Sequence, residues 1–258
     1  MTRGITGAAR IAVCASIGLT VGLGANAAAQ STPGAGGDVC TNSAAGMPEQ
    51  AGMMMGTPGA GMDVMAGMDM ASPMAGVDPA TMDFDQMYID MMIPHHASII
   101  ALAEAALPRL QDERLQEIAQ TVIETQGAEI EELRGYREEF YGDPEPAPMD
   151  PSMMEAMTQM LPGTGDMEEM AFEMDAAAQV AAICGAADAD LAFIDLTIPH
   201  HRMAIAASET AMARATHQEI RDFAEGVIDA QQREIDELSA IRRELYGSAT
   251  PEAVGAGS

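Results

Sequence analysis

An all-α fold, a four-helix bundle built from two repeated αα-hairpins, is what this sequence predicts, and three observations predict it. Residues 83–142 return as 188–247 at a constant offset of 105 residues, without a gap and with 25 of 60 positions identical. Inside each copy apolar residues recur every three or four positions, which is the period of one helical face. A short break divides each copy into two such stripes, so each folds back on itself as an antiparallel pair. Neither pair can bury its own stripe alone. Packed on each other, the two pairs form a bundle with an approximate internal twofold.

Taken in order, the chain opens with Arg3 and Arg10 ahead of an apolar run from Ile11 to about Leu23, followed by Ala27-Ala28-Ala29. This pattern predicts a secretory signal peptide over 1–29, cleaved near Ala29, with an apolar run too short for a membrane anchor. Residues 30–80 are rich in Gly, Ala, Pro, Ser and Met with few bulky apolar residues, and are expected to be disordered. Within them Met53, Met54, Met55, Met62, Met65, Met68, Met70 and Met74 cluster around Asp63 and Asp69. Such a run reads as a flexible lure of thioether ligands for a soft cation, Cu(I) or Ag(I).

The first repeat, 83–142, carries Phe84, Met87, Tyr88, Met91, His95, Ile99, Leu102 and Ala106 on one stripe, and Pro108 marks the end of that helix. Leu115, Ile118, Ala119, Val122, Ile123, Gln126, Ile130 and Leu133 form the stripe of the next helix, from about Asp112 to Phe140. An acidic, Met-rich linker, 143–187, follows. One or two short helices broken at Leu161-Pro162-Gly163 are expected there, with no role beyond connection. The second repeat, 188–247, adds Thr216-x-x-Glu219, which predicts a capping box for its second helix. Residues 248–258 read as a flexible tail.

Composition removes several function classes. A formal charge of −28, with twelve arginines and no lysine, excludes nucleic acid as a partner. No G-x-S-x-G, P-loop or dinucleotide fingerprint occurs, so no enzyme activity is expected, although a redox role stays open. Cys40 and Cys184, the two cysteines beyond the leader, allow one disulfide in an oxidising compartment and make no zinc motif.

The chemistry concentrates in Ile93-Pro94-His95-His96 and its copy Ile198-Pro199-His200-His201, which hold four of the five histidines. Folded about a turn near residue 110 or 111, the first hairpin places His95 and His96 level with Gln126, and Asp90 level with Glu129 or Ile130. The second places His200 and His201 level with Gln231, and Asp195 with Glu234. His95 and Gln126 fall on buried stripes, where a polar group without a partner costs about 1–3 kcal/mol. A histidine–glutamine hydrogen bond is one way to satisfy them; a metal ion is the other, since neutral imidazole is a common ligand and carboxylates flank it. Asp90 and Asp195 precede each proline by four residues and lie too far round a straight helix to share a site with the histidines; either a kink at the proline brings them together or the helix simply starts at the proline.

The HH pair followed about thirty residues later by Q-x2-E-I-x2-L resembles, in tandem, the family called domain of unknown function 305. Its members are ferritin-like bundles, and its CopM-type periplasmic relatives bind copper. The resemblance implies a metal set of Asp90, His95, His96, Gln126 and Glu129, matched by Asp195, His200, His201, Gln231 and Glu234. It implies a secreted or periplasmic protein that sequesters copper, as Cu(I) or Cu(II), or passes it to a transfer partner, with no membrane anchor after cleavage. Two alternatives stand beside it. One is a ferritin-like metal-dependent oxidase, which typically needs Glu-x-x-His motifs that this sequence lacks. The other is a metal-free helical interaction module with structural histidines.

Overall fold

Asp83 and Asp112 mark the starts of the first two helices because their carboxylates accept the backbone N–H groups that a helix leaves unpaired at its first turn. The computed structural model describes residues 39–40 and 83–249, which fall in the unit Gly37–Ser258. The described residues form helices and no strand. These are α1 (Phe84–Ala106), α2 (Glu113–Tyr141), α3 (Pro151–Met160), α4 (Met167–Met174), α5 (Ala176–Gly185), α6 (Ala189–Arg214) and α7 (Gln218–Tyr246). The expected signal peptide and almost all of the Met-rich segment 30–80 lie outside the described residues.

α1 packs along α2, and α6 along α7. Gly142 and Gly247 close α2 and α7 in the left-handed region, at φ 81° and 78°, where a side chain would be strained. α1 and α6 lie antiparallel at the centre: the Tyr88 and Ser208 hydroxyls are 2.8 Å apart, and Ser98 Oγ lies 2.9 Å from His200 Nε2. Two apolar clusters flank this crossing. One takes residues 84–93 of α1 with Met203, Ala204, Ala207 and Ala211 of α6; the other takes Ile99 to Ala106 of α1 with Phe193, Ile194 and Ile198 of α6. All four paired histidines fall in the stretch between the clusters.

The polar contacts repeat with the sequence. Arg137 donates to Asp90 as Arg242 donates to Asp195, and Tyr141 to Asp83 as Tyr246 to Asp188. Asp190 accepts the backbone N–H groups of Gln111 and Asp112, which open α2. Asp85 does the same for Thr216 and His217 at the start of α7, and also accepts from the Thr216 hydroxyl and His217 Nδ1. Each repeat therefore caps the other.

Two expectations are corrected here. Thr216 and Glu219 do not form a capping box: the N-cap is His217, which makes no side-chain cap, and the Thr216 hydroxyl is drawn to Asp85. A carboxylate from the other repeat outcompetes a local hydroxyl, since charge-assisted bonds are the stronger ones. The segment 143–187 is also more than a connector. It holds three helices, buries Met153, Met157, Leu161, Met170 and Ile183, and lays α4 and α5 against α1. Met153, Met157 and Met170 serve as core, with Met154, Met160 and Met174 partly buried against them, while Met167 is exposed. Cys184, at the end of α5, is disulfide-bonded to Cys40 across 144 residues.

A candidate metal centre at the crossing of the repeats

Pro94 sits inside a continuous α1 and Pro199 inside α6, so neither helix begins at its proline. The missing proline N–H leaves the carbonyl four residues earlier, that of Asp90 or Asp195, without its helical donor. The histidines that follow are turned inward. His95, His96, His200 and His201 are all 0 % exposed, and the rings of His95 and His200 lie against each other, tilted by 36°, with centroids 3.7 Å apart. The two repeats thus bring their histidine pairs into one buried cluster rather than two separate sites.

Their partners differ. His201 Nε2 lies 2.6 Å from Glu234 Oε2 in hydrogen-bonding alignment. In the first copy His96 Nε2 lies 3.0 Å from Glu129 Oε2, within ion-pair distance but off the hydrogen-bonding direction. Ser98 Oγ contacts His200 Nε2, the His95 carbonyl and the Glu173 carbonyl. Both ring nitrogens of His95 and of His96, and Nδ1 of His200 and His201, are buried with no hydrogen-bond partner. The same holds for both side-chain polar atoms of Gln126 and of Gln231. Such a concentration of unsatisfied atoms is rare in folded proteins and asks for a ligand or a function.

Burial dominates the electrostatics. Desolvation pushes His95 well below the usual histidine range, and the neighbouring His96 and His201 push it further. Burial, then His95, His201 and His96, does the same to His200. Both rings are therefore neutral near pH 7, which is the form that donates to a metal.

The structure brings Glu129 to His96 and Glu234 to His201, and buries Gln126 and Gln231 without hydrogen-bond partners. Glu129 and Glu234 stand opposite His96 and His201, whereas the expected level partners were Asp90 and Asp195. Side chains lean toward the N-terminus of their own helix, so in an antiparallel pair the two leans add and shift each contact about one turn from the turn end. Asp90 and Asp195 are held by Arg137 and Arg242 instead, at 2.5 and 2.6 Å. Arg137, Arg242, Asp85 and Asp190 were identical between the copies, so the repeat itself carried their signal. Ser98 carried none, because Met203 occupies its place in the second copy.

Among the described residues no group of three or more His, Cys, Asp or Glu is arranged as a ready metal-ligand set. The cluster instead gathers imidazole nitrogens without hydrogen-bond partners in one buried region.

Comparison with known proteins places the chain. The family model described as Domain of unknown function (DUF305) matches residues 28–137 and again 85–242. Among solved structures, "CopM in the Cu(I)-bound form" aligns at 24 % identity and a TM-score of 0.49, over 63 % of this chain and 98 % of that one. "CopM in the Cu(II)-bound form" aligns at 25 % identity and 0.49, over 63 % and 97 %. "CopM in the apo form" aligns at 26 % and 0.49, over 63 % and 98 %. No curated protein matches. With matches that together span both repeats, the chain belongs to the DUF305 family.

Proposed function

We propose that the chain binds copper at one site shared by its two repeats, within a ferritin-like bundle of two αα-hairpins, and sequesters it or passes it on outside the cytoplasm. The observation that carries this reading is the cluster of four buried histidines, six of whose eight ring nitrogens are left without hydrogen-bond partners. A purely structural role would satisfy those nitrogens, because each buried polar atom left unpaired costs about 1–3 kcal/mol. Imidazole donors beside Glu129 and Glu234 suit Cu(II). Neutral imidazole with the thioethers of buried Met91, Met92 and Met203 suits Cu(I) and Ag(I).

The secretory reading of residues 1–29, the disulfide and the Met-rich segment support a periplasmic or secreted setting, where a −28 chain also attracts cations by its field. Asp90 and Asp195 serve this site by anchoring α2 and α7 through Arg137 and Arg242. His95, His96, His200 and His201 are the proposed ligands, with Glu129, Glu234, Gln126 and Gln231 beside them. Copper titration of the protein and of a His95, His96, His200, His201→Ala variant tests the reading. Loss of the bundle-bound copper is expected; unchanged stoichiometry and affinity in the variant would leave the methionine segments as the binding elements.

A further inference from the structure

The two histidine pairs are not equivalent, and the difference is in which ring atoms already have partners. In the first repeat none of the four ring nitrogens has a hydrogen-bond partner, although His96 Nε2 has Glu129 Oε2 at 3.0 Å; in the second only the two Nδ1 atoms have none. Ser98 is the origin of half of this asymmetry. Its hydroxyl has one proton, yet it lies against two carbonyl oxygens, of His95 and of Glu173, which can only accept. The proton must go to one of them, so the Ser98 oxygen accepts from its remaining neighbour, and His200 Nε2, 2.9 Å away, carries a hydrogen. A second proton on Nδ1 would be a buried donor with nothing to receive it. The Glu234 carboxylate imposes the same choice on His201, whose Nε2 donates across 2.6 Å.

We infer that Ser98 and Glu234 are positioning residues that fix His200 and His201 as Nε2–H tautomers, so that a soft or borderline cation is taken first by the two preset Nδ1 lone pairs. His95, which no side chain holds by a hydrogen bond, and His96, which has only Glu129 Oε2 at 3.0 Å off the hydrogen-bonding direction, then turn to complete its coordination. The second repeat is the rigid half of the site and the first is the adaptable half. Met203 stands where Ser98 would be in the other copy, and a thioether supplies no donor to lock His95. The connector takes part as well, since the Glu173 carbonyl at the end of α4 is one of the two acceptors that decide the Ser98 proton. This inference rests on the proposed copper reading for its ligand, but its tautomer pattern belongs to the protein without metal.

Nitrogen-15 NMR of the imidazole rings, on the full chain without metal and then with Ag(I) added as a diamagnetic probe, tests it. Without metal, His200 and His201 should each show a single Nε2–H tautomer, and Ser98→Ala should lose that pattern at His200 while leaving His201 unchanged. The His201 signature also reports that the variant is folded. A wild-type His200 protonated on Nδ1 or mixed, or a Ser98→Ala variant that keeps the pattern, would overturn the inference without any metal. On addition of Ag(I), the Nδ1 resonances of His200 and His201 should move; movement at their Nε2 atoms would overturn it. If no imidazole nitrogen responds to Ag(I), the copper reading falls and the ligand step with it, and the metal-free spectrum tells that case apart from a wrong tautomer.

Discussion

The two repeats share helix lengths, caps and ion pairs, yet the first is enclosed and the second is open. α4 and α5 lie on α1, and that helix is buried on almost every side; α6, at the same positions in its own repeat, keeps a wetter face. The ion pairs show the consequence. The Asp90 side chain is 0 % exposed against Arg137, whereas that of Asp195 is 28 % exposed against Arg242. The histidines invert this order, for the more enclosed repeat holds the pair with fewer partners. What a repeated residue does is therefore set by what the unrepeated connector places beside it.

The largest expected effect comes from the ion pairs. Arg137→Met strands a buried carboxylate and should cost about 3–5 kcal/mol in urea unfolding. Arg242→Met leaves Asp195 partly hydrated and should cost about 1–2 kcal/mol. Equal costs would break the comparison.

The disulfide comes next. Because Cys184 ends the helix that covers α1, removing the Cys40–Cys184 link should cost about 2–4 kcal/mol. Amide exchange should accelerate in α1 more than in α6; the reverse order would show that α5 does not protect the first repeat.

The reciprocal caps give a further contrast. Asp85 receives two backbone and two side-chain donors, and Asp190 receives two backbone donors. Asp85→Ala should cost about 2–3 kcal/mol and Asp190→Ala about 1 kcal/mol. Burial raises the Asp85 carboxyl, but hydrogen bonds from His217 and Thr216 outweigh it and hold the group below its ordinary 3.8. A depressed carboxylate stabilises the fold above pH 3.8 and loses that contribution as pH falls through its folded value. The stability gap between wild type and Asp85→Asn should accordingly shrink as pH falls below about 4. A gap independent of pH would remove the charged cap from the account.

Much of this was legible in the sequence because duplication doubles every signal. The apolar stripes gave α1 and α2 to within a residue or two and the inward placement of His95 and Gln126, and the repeat carried the same reading to α6, α7, His200 and Gln231. What escaped lay outside the repeat. Nothing in the spacing of Met153, Met157 and Met170 says whether a methionine stripe meets a metal or a core. Ser98 reads as an ordinary helix residue until the fold brings Glu173 and His200 to it. The register of Glu129 was missed by about one turn because levelling Cα positions ignores the lean of long side chains.

The central claim is that the repeats build one copper site between them rather than one each. Cu(II) titration followed by the magnetic coupling of copper to imidazole nitrogen, on wild type and on a His95→Ala, His96→Ala double variant, tests it most directly. The account predicts that removing the first repeat's pair abolishes high-affinity imidazole-coordinated copper altogether, because His200 and His201 alone cannot complete the site. Retention of half the copper, at unchanged affinity and with the second pair still coordinated, would contradict it.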